Sequence, residues 1–322
     1  MAGQAGCLRR GGTASWRFRP MPECRHLLQR DDLVRGNDKM IRKATEADIG
    51  PMVAFLEKRI EHSMFLLGNL EAHGVNNATH PHGTSFFLRE TGEGITGVFG
   101  ATNGGFLMCQ LPGLSATEAQ TYAHLLKGYT LTGMTGDVEQ MDALLRALPV
   151  SPDALSLNRV EPLYRLPLSG LGEVPPVRQA RESDVTMLAD WWVRYLSETE
   201  TCPASRIDRE AAVRARAAVG SADTQIMEER GRPVAMARIN ARAGQAVQVG
   251  GVFVPENLRG EGRAGRVVSG LLANARSRGA ELAILFAASP AAAKAYERIG
   301  FVRCGDYRVT ILREPLTLGT AP

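Results

Sequence analysis

The run Val252-Phe-Val-Pro-Glu-Asn-Leu-Arg-Gly-Glu-Gly-Arg-Ala-Gly265, continuing as Arg266-Val-Val-Ser-Gly-Leu-Leu-Ala-Asn-Ala-Arg-Ser-Arg278, decides how the rest of this chain is read. Val267, Val268, Leu271, Leu272 and Ala275 recur at helical spacing and Gly279 supplies a stop, so the second part reads as an amphipathic helix. Gln245 to Val254, rich in β-branched residues, reads as the strand before it. A glycine-rich turn between strand and helix leaves the first helical N–H groups unpaired and lets a ligand approach without Cβ obstruction. With the helix dipole behind them, those donors form a site for phosphate.

Two phosphate-binding patterns overlap here. Gly260-x-Gly262-x-x-Gly265 spells the dinucleotide fingerprint, but that fingerprint begins directly at a strand end and needs an acid at the tip of the next strand. Pro255 to Arg259 intervene, and the next strand, Leu282-Ala-Ile-Leu-Phe286, closes on Ala287-Ala-Ser289 with no acid. The other pattern is Arg/Gln-x-x-Gly-x-Gly/Ala, met by Arg259, Gly262 and Ala264. Downstream, Ser289-Pro-Ala-Ala-Ala-Lys-Ala-Tyr-Glu-Arg-Ile-Gly-Phe301 has Ser289 as N-cap, Pro290 at the first helical position and Gly300 as C-terminal cap.

Together these motifs resemble the GNAT N-acetyltransferase superfamily, which binds acetyl-CoA on the first pattern. The superfamily carries Asn-x-x-Ala-x-x-x-Tyr-x-x-x-Gly-Phe in the second; this chain keeps Ala292, Tyr296, Gly300 and Phe301 but has Ser289 in place of Asn. The resemblance implies that Phe253, Val254, Arg259, Gly260, Glu261, Gly262, Arg263, Ala264, Gly265, Ser289, Ala292 and Tyr296 line the cofactor site. It also implies that Tyr296 protonates the departing thiolate.

Outward from this region, 322 residues that are 44% hydrophobic and 22% charged indicate a globular protein of two domains. A net charge of +4, with no basic stripe interleaved with aromatics, gives no reason to expect nucleic acid. No run has the length of a membrane-spanning helix. Cys7, Cys24, Cys109, Cys202 and Cys304 lack C-x-x-C spacing, which fits free thiols in a reducing cytoplasm rather than a disulfide framework. Residues 1–39, with seven arginines and no hydrophobic period, read as a disordered or extraneous extension ahead of Met40; a transit peptide is the alternative, weakened by Glu23, Asp31, Asp32 and Asp38.

From Met40 the chain repeats itself. Ile41-Arg-Lys-Ala-Thr-Glu-Ala-Asp-Ile49 recurs as Val177-Arg-Gln-Ala-Arg-Glu-Ser-Asp-Val185, and Leu163-Tyr-Arg-Leu-Pro-Leu168 is echoed by Asp306-Tyr-Arg-Val-Thr-Ile-Leu312. With a Gly/Pro-rich connector between them, this is a tandem duplication of an α/β unit. The expected fold is α/β (α+β): two GNAT-like domains, each a mixed, mostly antiparallel sheet flanked by helices. The boundaries are 40–170 and 177–314, with a linker at 171–176 and a flexible tail at 315–322.

In the first copy the turn Leu111-Pro-Gly-Leu-Ser-Ala-Thr-Glu118 lacks the Arg-x-x-Gly-x-Gly/Ala pattern and any basic residue, so this half is expected not to hold a pyrophosphate. Phe65-Leu-Leu-Gly-Asn-Leu70 reads as a packed helix face, with ligand contact as the other reading. His80-Pro-His82, in a polar loop with no further ligand, reads as solvated, and no metal is expected.

All six histidines precede residue 125, so a general base in the second copy must be a carboxylate, a tyrosine, a water relay or a backbone group. A lysine-like amine, with a pKa near 10.4, is only about one part in a thousand neutral at pH 7, so something must take its proton. The superfamily's strand carboxylate corresponds to Gln248 here, which cannot serve. Glu228 on a neighbouring strand, and Glu198 and Glu200 in a loop expected over Ser197 to Pro203, stand as candidates through water. Gly250-Gly251 suggests a bulge that frees N–H groups near Phe253 and Val254 for an oxyanion; a strand weakened by two small residues is the plain alternative. The expected activity is acetyl-CoA-dependent acetylation of a primary amine on a small molecule or peptide. A non-catalytic acetyl-CoA sensor is the competing expectation.

Overall fold

The computed structural model of the chain describes residues 34–36 and 39–319. In the first half the strands are β1 (Val34–Gly36), β2 (Lys39–Lys43), β3 (Thr84–Thr91), β4 (Gly94–Thr102), β5 (Phe106–Gln110), β6 (Thr130–Asp137) and β7 (Leu155–Pro167). Its helices are α1 (Ile49–Glu57), α2 (Ile60–His73), α3 (Ala116–Leu125) and α4 (Val138–Ala147). The second half supplies β8 (Arg178–Gln179), β9 (Thr224–Glu229), β10 (Arg232–Ala243), β11 (Ala246–Phe253), β12 (Leu282–Phe286) and β13 (Val302–Thr317). Its helices are α5 (Val185–Thr199), α6 (Ile207–Ala218), α7 (Arg263–Ser277) and α8 (Pro290–Glu297).

These strands form one sheet, ordered β1-β2-β3-β4-β5-β6-β13-β7-β12-β11-β10-β9-β8. Every neighbouring pair is antiparallel except β5 with β6 and β11 with β12. The fold is thus mixed α/β with a mostly antiparallel sheet, as the duplicated pattern implies.

The order also shows an exchange. β7 ends the first half yet pairs with β12 of the second, Leu163 opposite Phe286, while β13 ends the second half and pairs with β6 of the first, Tyr307 opposite Asp137. The two exchanged strands then pair with each other from Val302↔Arg165 to Leu312↔Leu155. The echoing segments at the ends of the two sequence repeats are therefore the seam of the sheet. The edges of β6 and β12 are each covered by a strand encoded in the other half.

Side chains alternate across the sheet as the period of two demands. Val247 and Val249 pack with Val267, Leu271 and Tyr296 beneath α7 and α8, whereas Ala246 and Ile284 pack with Leu67 and Leu163 beneath α2. Helix α2 comes so close to β10 that a Cβ at Gly68 would lie 2.7 Å from the Arg242 carbonyl oxygen. The first repeat's helix thereby roofs strands of the second.

Each repeat opens with the same ionic clamp. Arg42 donates to both oxygens of Asp48 at 2.8 and 2.6 Å and to Glu90 at 2.8 Å. Arg178 does the same to Asp184 at 2.6 and 3.0 Å and to Glu228 at 2.8 and 2.6 Å. Asp184 further accepts from the Arg181 N–H at 2.7 Å, tying the edge strand to the start of α5.

Three expectations need correction. β13 runs to Thr317 and Leu318 is buried, so residues 315–318 are not a tail; residues 320–322 lie outside the described residues. Val34–Gly36 pairs antiparallel with Lys39–Ile41, so the end of the extension adds a strand to the sheet; residues 1–33, 37 and 38 lie outside the described residues. Helix α5 continues through Thr199, because Glu200 caps it in the left-handed conformation, and the expected loop begins later than Ser197.

Two measurements follow from this architecture. Residues 40–170 and 177–319 expressed separately would each carry an exchanged strand with no partner; neither is expected to melt cooperatively alone, and mixing the two should restore one transition. The Arg178 guanidinium holds the Asp184 carboxyl below its ordinary 3.8. The contribution of the pair is therefore complete above that pH and fades as pH falls through the lowered folded value. Asp184→Asn is expected to cost about 1.5–3 kcal/mol at pH 7 in urea unfolding, and the gap to the parent should narrow in strong acid.

Candidate active site

The glycine-rich turn folds as its residues require. Gly260 and Gly262 have φ of +88° and +75°, and nothing lies within 4 Å of where their Cβ atoms would be. Gly262 is the N-cap of α7 in the left-handed region. Gly265 instead faces α8, where a Cβ would sit 2.9 Å from the Ala295 carbonyl oxygen, so its role is close helix packing. Among the described residues the N–H groups of residues 260–265 donate to no protein acceptor, and the first helical bond runs from Arg266 N–H to the Gly262 carbonyl. Six consecutive donors at the positive end of a 15-residue helix form a cradle for a polyanion.

The arginine side chains around this turn are already engaged. Arg263 is buried and donates to Glu229 at 3.1 and 2.7 Å and to the Leu258 carbonyl at 2.7 Å, with Glu261 2.9 Å away. Arg266 reaches the other oxygen of Glu229 at 2.9 Å. Arg263 is thus a brace that sets the loop shape, and only its backbone N–H is available to a ligand. Arg259 donates to the Val254 carbonyl at 2.9 Å and grips Glu198 at 2.7 and 2.9 Å, its guanidinium lying 5.8 Å from the centroid of the Phe253 ring.

Beside the turn the two parallel strands part. Pairing between β11 and β12 ends at Val249↔Leu285, while β11 continues along β10 to Phe253 through a bulge between Met236↔Phe253 and Arg238↔Gly250. Gly251 takes φ +56° at the bulge, and any Cβ there would strike Trp192. Its N–H donates to the Tyr195 hydroxyl at 3.3 Å. Phe253 and Val254 are buried just beyond the bulge.

A cavity of about 670 Å³ opens at the parting, between α2 and α5. Val249, Gly250, Phe286 and Ala288 bring it to the ends of the parted strands. The first half contributes Phe65, Asn69, Phe106, Thr135, Arg159 and Glu161. Phe65 and Asn69 therefore face the cavity while Leu66, Leu67 and Leu70 are buried, so that helix serves both packing and the cavity wall. His80 and His82 are both exposed, His82 at the rim of the cavity and His80 stacked 4.0 Å from His73. Among the described residues no group of three or more His, Cys, Asp or Glu is arranged to hold a metal ion.

The expected catalytic residues are dispersed by the fold. Tyr296 is buried between the sheet and α7, where burial, with Tyr195 nearby, keeps its hydroxyl protonated far above the ordinary range. Glu228 sits in the edge-strand clamp with Arg178 and is not among the residues that line the cavity. Glu198 is corrected, because the continuing helix turns it outward onto Arg259; Glu200 is exposed, and Thr199 and Thr201 face the cavity instead. Ser289 accepts from the Ala292 N–H at 3.2 Å as the N-cap of α8, so its side-chain oxygen is spent on the helix rather than on a ligand. Ala292 is half-buried against the core under α7 and α8. The corresponding helix start in the first half, at α3, is closed by its own capping box, Ser115 and Glu118 accepting from each other's N–H groups.

The sequence reading missed Glu161. It is the one carboxylate among the residues lining the cavity, it is buried, and it comes from the exchanged strand. Glu161 lies just ahead of the repeat-closing segment that begins at Leu163, and nothing local to it suggested a second-half site.

Residues 192–310 match the family described as Acetyltransferase (GNAT) domain. A Drosophila protein solved by X-ray crystallography shares the fold at 12% identity and a TM-score of 0.51, over 84% of this chain and 98% of its own. A GNAT-family acetyltransferase from Colwellia psychrerythraea is similar at 14% identity and TM-score 0.45, covering 85% of this chain and all but 1% of its own, 99%. A GCN5-related N-acetyltransferase from Sphaerobacter thermophilus is similar at 14% identity and TM-score 0.47, covering 89% and 100%. No curated protein matches the chain. Among the described residues no helix is long and apolar enough to cross a membrane.

Gly262→Asp forces a side chain into a left-handed position and sets a carboxylate among the free N–H groups. It is expected to abolish acetyl-CoA binding by calorimetry while the melting temperature moves by only a few degrees, and unchanged affinity would remove this turn from the cofactor site.

Proposed function

We propose that the protein is an acetyl-CoA-dependent N-acetyltransferase acting on a primary amine of a small molecule or peptide. The observation that carries this reading is the opening of a cavity where β11 and β12 part, beside six unpaired N–H groups. The diphosphate fits the cradle at residues 260–265, and Phe253 and Val254 would border the arm that enters between the strands. Acetyl-CoA would supply an acetyl group already activated as a thioester.

The remaining work falls to this chain's own groups. Backbone N–H groups at the bulge near Phe253 and Val254 face the site where negative charge develops, a contribution of about 3–4 kcal/mol per donor in other acyl transfers. Tyr296, kept protonated by burial, serves as proton donor to the departing sulfur. Residues 177–314 carry the cofactor site, and residues 40–170 act as a degenerate copy that walls the acceptor cavity. The unpaired thiols of Cys109, Cys202 and Cys304 support a cytoplasmic setting.

An amine panel assayed by free-thiol release tests the reading. Turnover with at least one amine is expected, and Tyr296→Phe should lower kcat by about 10²-fold or more. Tight acetyl-CoA binding with no turnover on any amine would favour the sensor reading instead.

A further inference from the structure

Strand register places Glu161 at the parting. Leu163 pairs with Phe286 and the Ala287 N–H donates to the Pro162 carbonyl at 3.1 Å, so Glu161 comes opposite Ala288, one step past the end of β12. Glu161 and Leu163 share a face by the period of two, the face that lies beneath α2. Arg159 donates to Glu161 through Nε and Nη2 at 2.8 and 2.6 Å, and both contacts fall on Oε1. Among the described residues Oε2 accepts no hydrogen bond, although the residue is only 8% exposed.

A second polar atom in the cavity lacks a partner. Gln248 is 5% exposed; its Nε2 donates to the Val249 carbonyl at 2.7 Å, which leaves Oε1 buried with nothing to accept from. Gln248 Oε1 is thus a buried acceptor without a donor, at a cost of about 1–3 kcal/mol, whereas Glu161 Oε2 is the carboxylate oxygen of a cavity-lining residue that no donor occupies. The other charged lining groups do not compete with it: Arg242 is held by Asp223, Arg159 by Glu161, and His82 is exposed at the rim. Around them the walls are apolar, with Phe286 stacked 4.4 Å from Tyr307 and 6.2 Å from Phe65, and Met64, Phe106 and Met108 beside them.

We infer that Glu161, delivered to the second half by the exchanged strand, receives the acceptor's ammonium group at its free Oε2, and that the acceptor is a primary amine on an aromatic or branched apolar body. This rests on the transferase reading above and names its substrate class and base. As the amine nitrogen bonds to the acetyl carbon, the bond from that carbon to sulfur breaks. The ammonium loses two protons: one passes to Glu161 Oε2 and on to solvent, and the other reaches the departing sulfur, leaving a neutral amide and a free thiol.

The test uses the full chain with 2-phenylethylamine as apolar probe and ethanolamine as polar control. By calorimetry without any thioester, Glu161→Gln should weaken 2-phenylethylamine binding about 10- to 100-fold, while acetyl-CoA affinity and melting temperature stay at parental values. In turnover, the parent should prefer 2-phenylethylamine over ethanolamine. The variant's deficit should shrink as pH rises toward 10, where the amine enters already neutral, a recovery that a merely structural role would not give. Parental behaviour of Glu161→Gln in both amine binding and pH profile, or a preference for ethanolamine, overturns the assignment. Failure of the parent to bind acetyl-CoA would instead sink the transferase reading, with the binding arm still deciding whether Glu161 holds the amine.

Discussion

Strands β7 and β13 lie side by side at the centre of the sheet, and each belongs in sequence to the half on the other side of the seam. Backbone pairing is obligatory for buried N–H and C=O groups, so this reciprocal crossing decides more than connectivity. It fixes α2 over β10, it completes the sheet of each half with a strand from the other, and it brings Arg159 and Glu161 to the end of β12. The cavity has walls from both halves because its floor is built from both.

The phosphate cradle depends on a different economy of charge. Arg259, Arg263 and Arg266 look from the sequence like a cationic patch waiting for phosphate, yet each is paired with a carboxylate or a carbonyl. What remains unpaired is backbone. A loop braced by Arg263 and Glu229 holds its N–H groups in place before any ligand arrives, so less ordering remains to be done on binding. In the first half the comparable helix start has Ser115 and Glu118 occupying its own donors, and Glu118 is tied in turn to Arg89 and Lys39. The same local architecture is thus open in one copy and closed in the other by two side chains.

Much of the fold was legible because it rests on local chemistry. The strand before the glycine-rich turn, helix α7, strand β12 and helix α8 with its Ser289 cap and Pro290 start follow the periodicity and capping rules almost to the residue. The repeated opening motif was legible as a repeat, though not as a clamp, since Glu90 and Glu228 lie 48 and 50 residues beyond the arginines they hold. Glu198 was misread because a helix end depends on a left-handed cap at Glu200, a position where glycine or asparagine is the usual signal.

By itself, the sequence determined a duplicated α/β chain whose second copy carries an open glycine-rich turn at a helix start, because turn geometry, capping and hydrophobic period are properties of neighbouring residues. Only the tertiary structure decided which carboxylate faces the cavity. Glu161 belongs to the first repeat and reaches the end of β12 through the exchange of β7, a long-range pairing that no local stretch of sequence records.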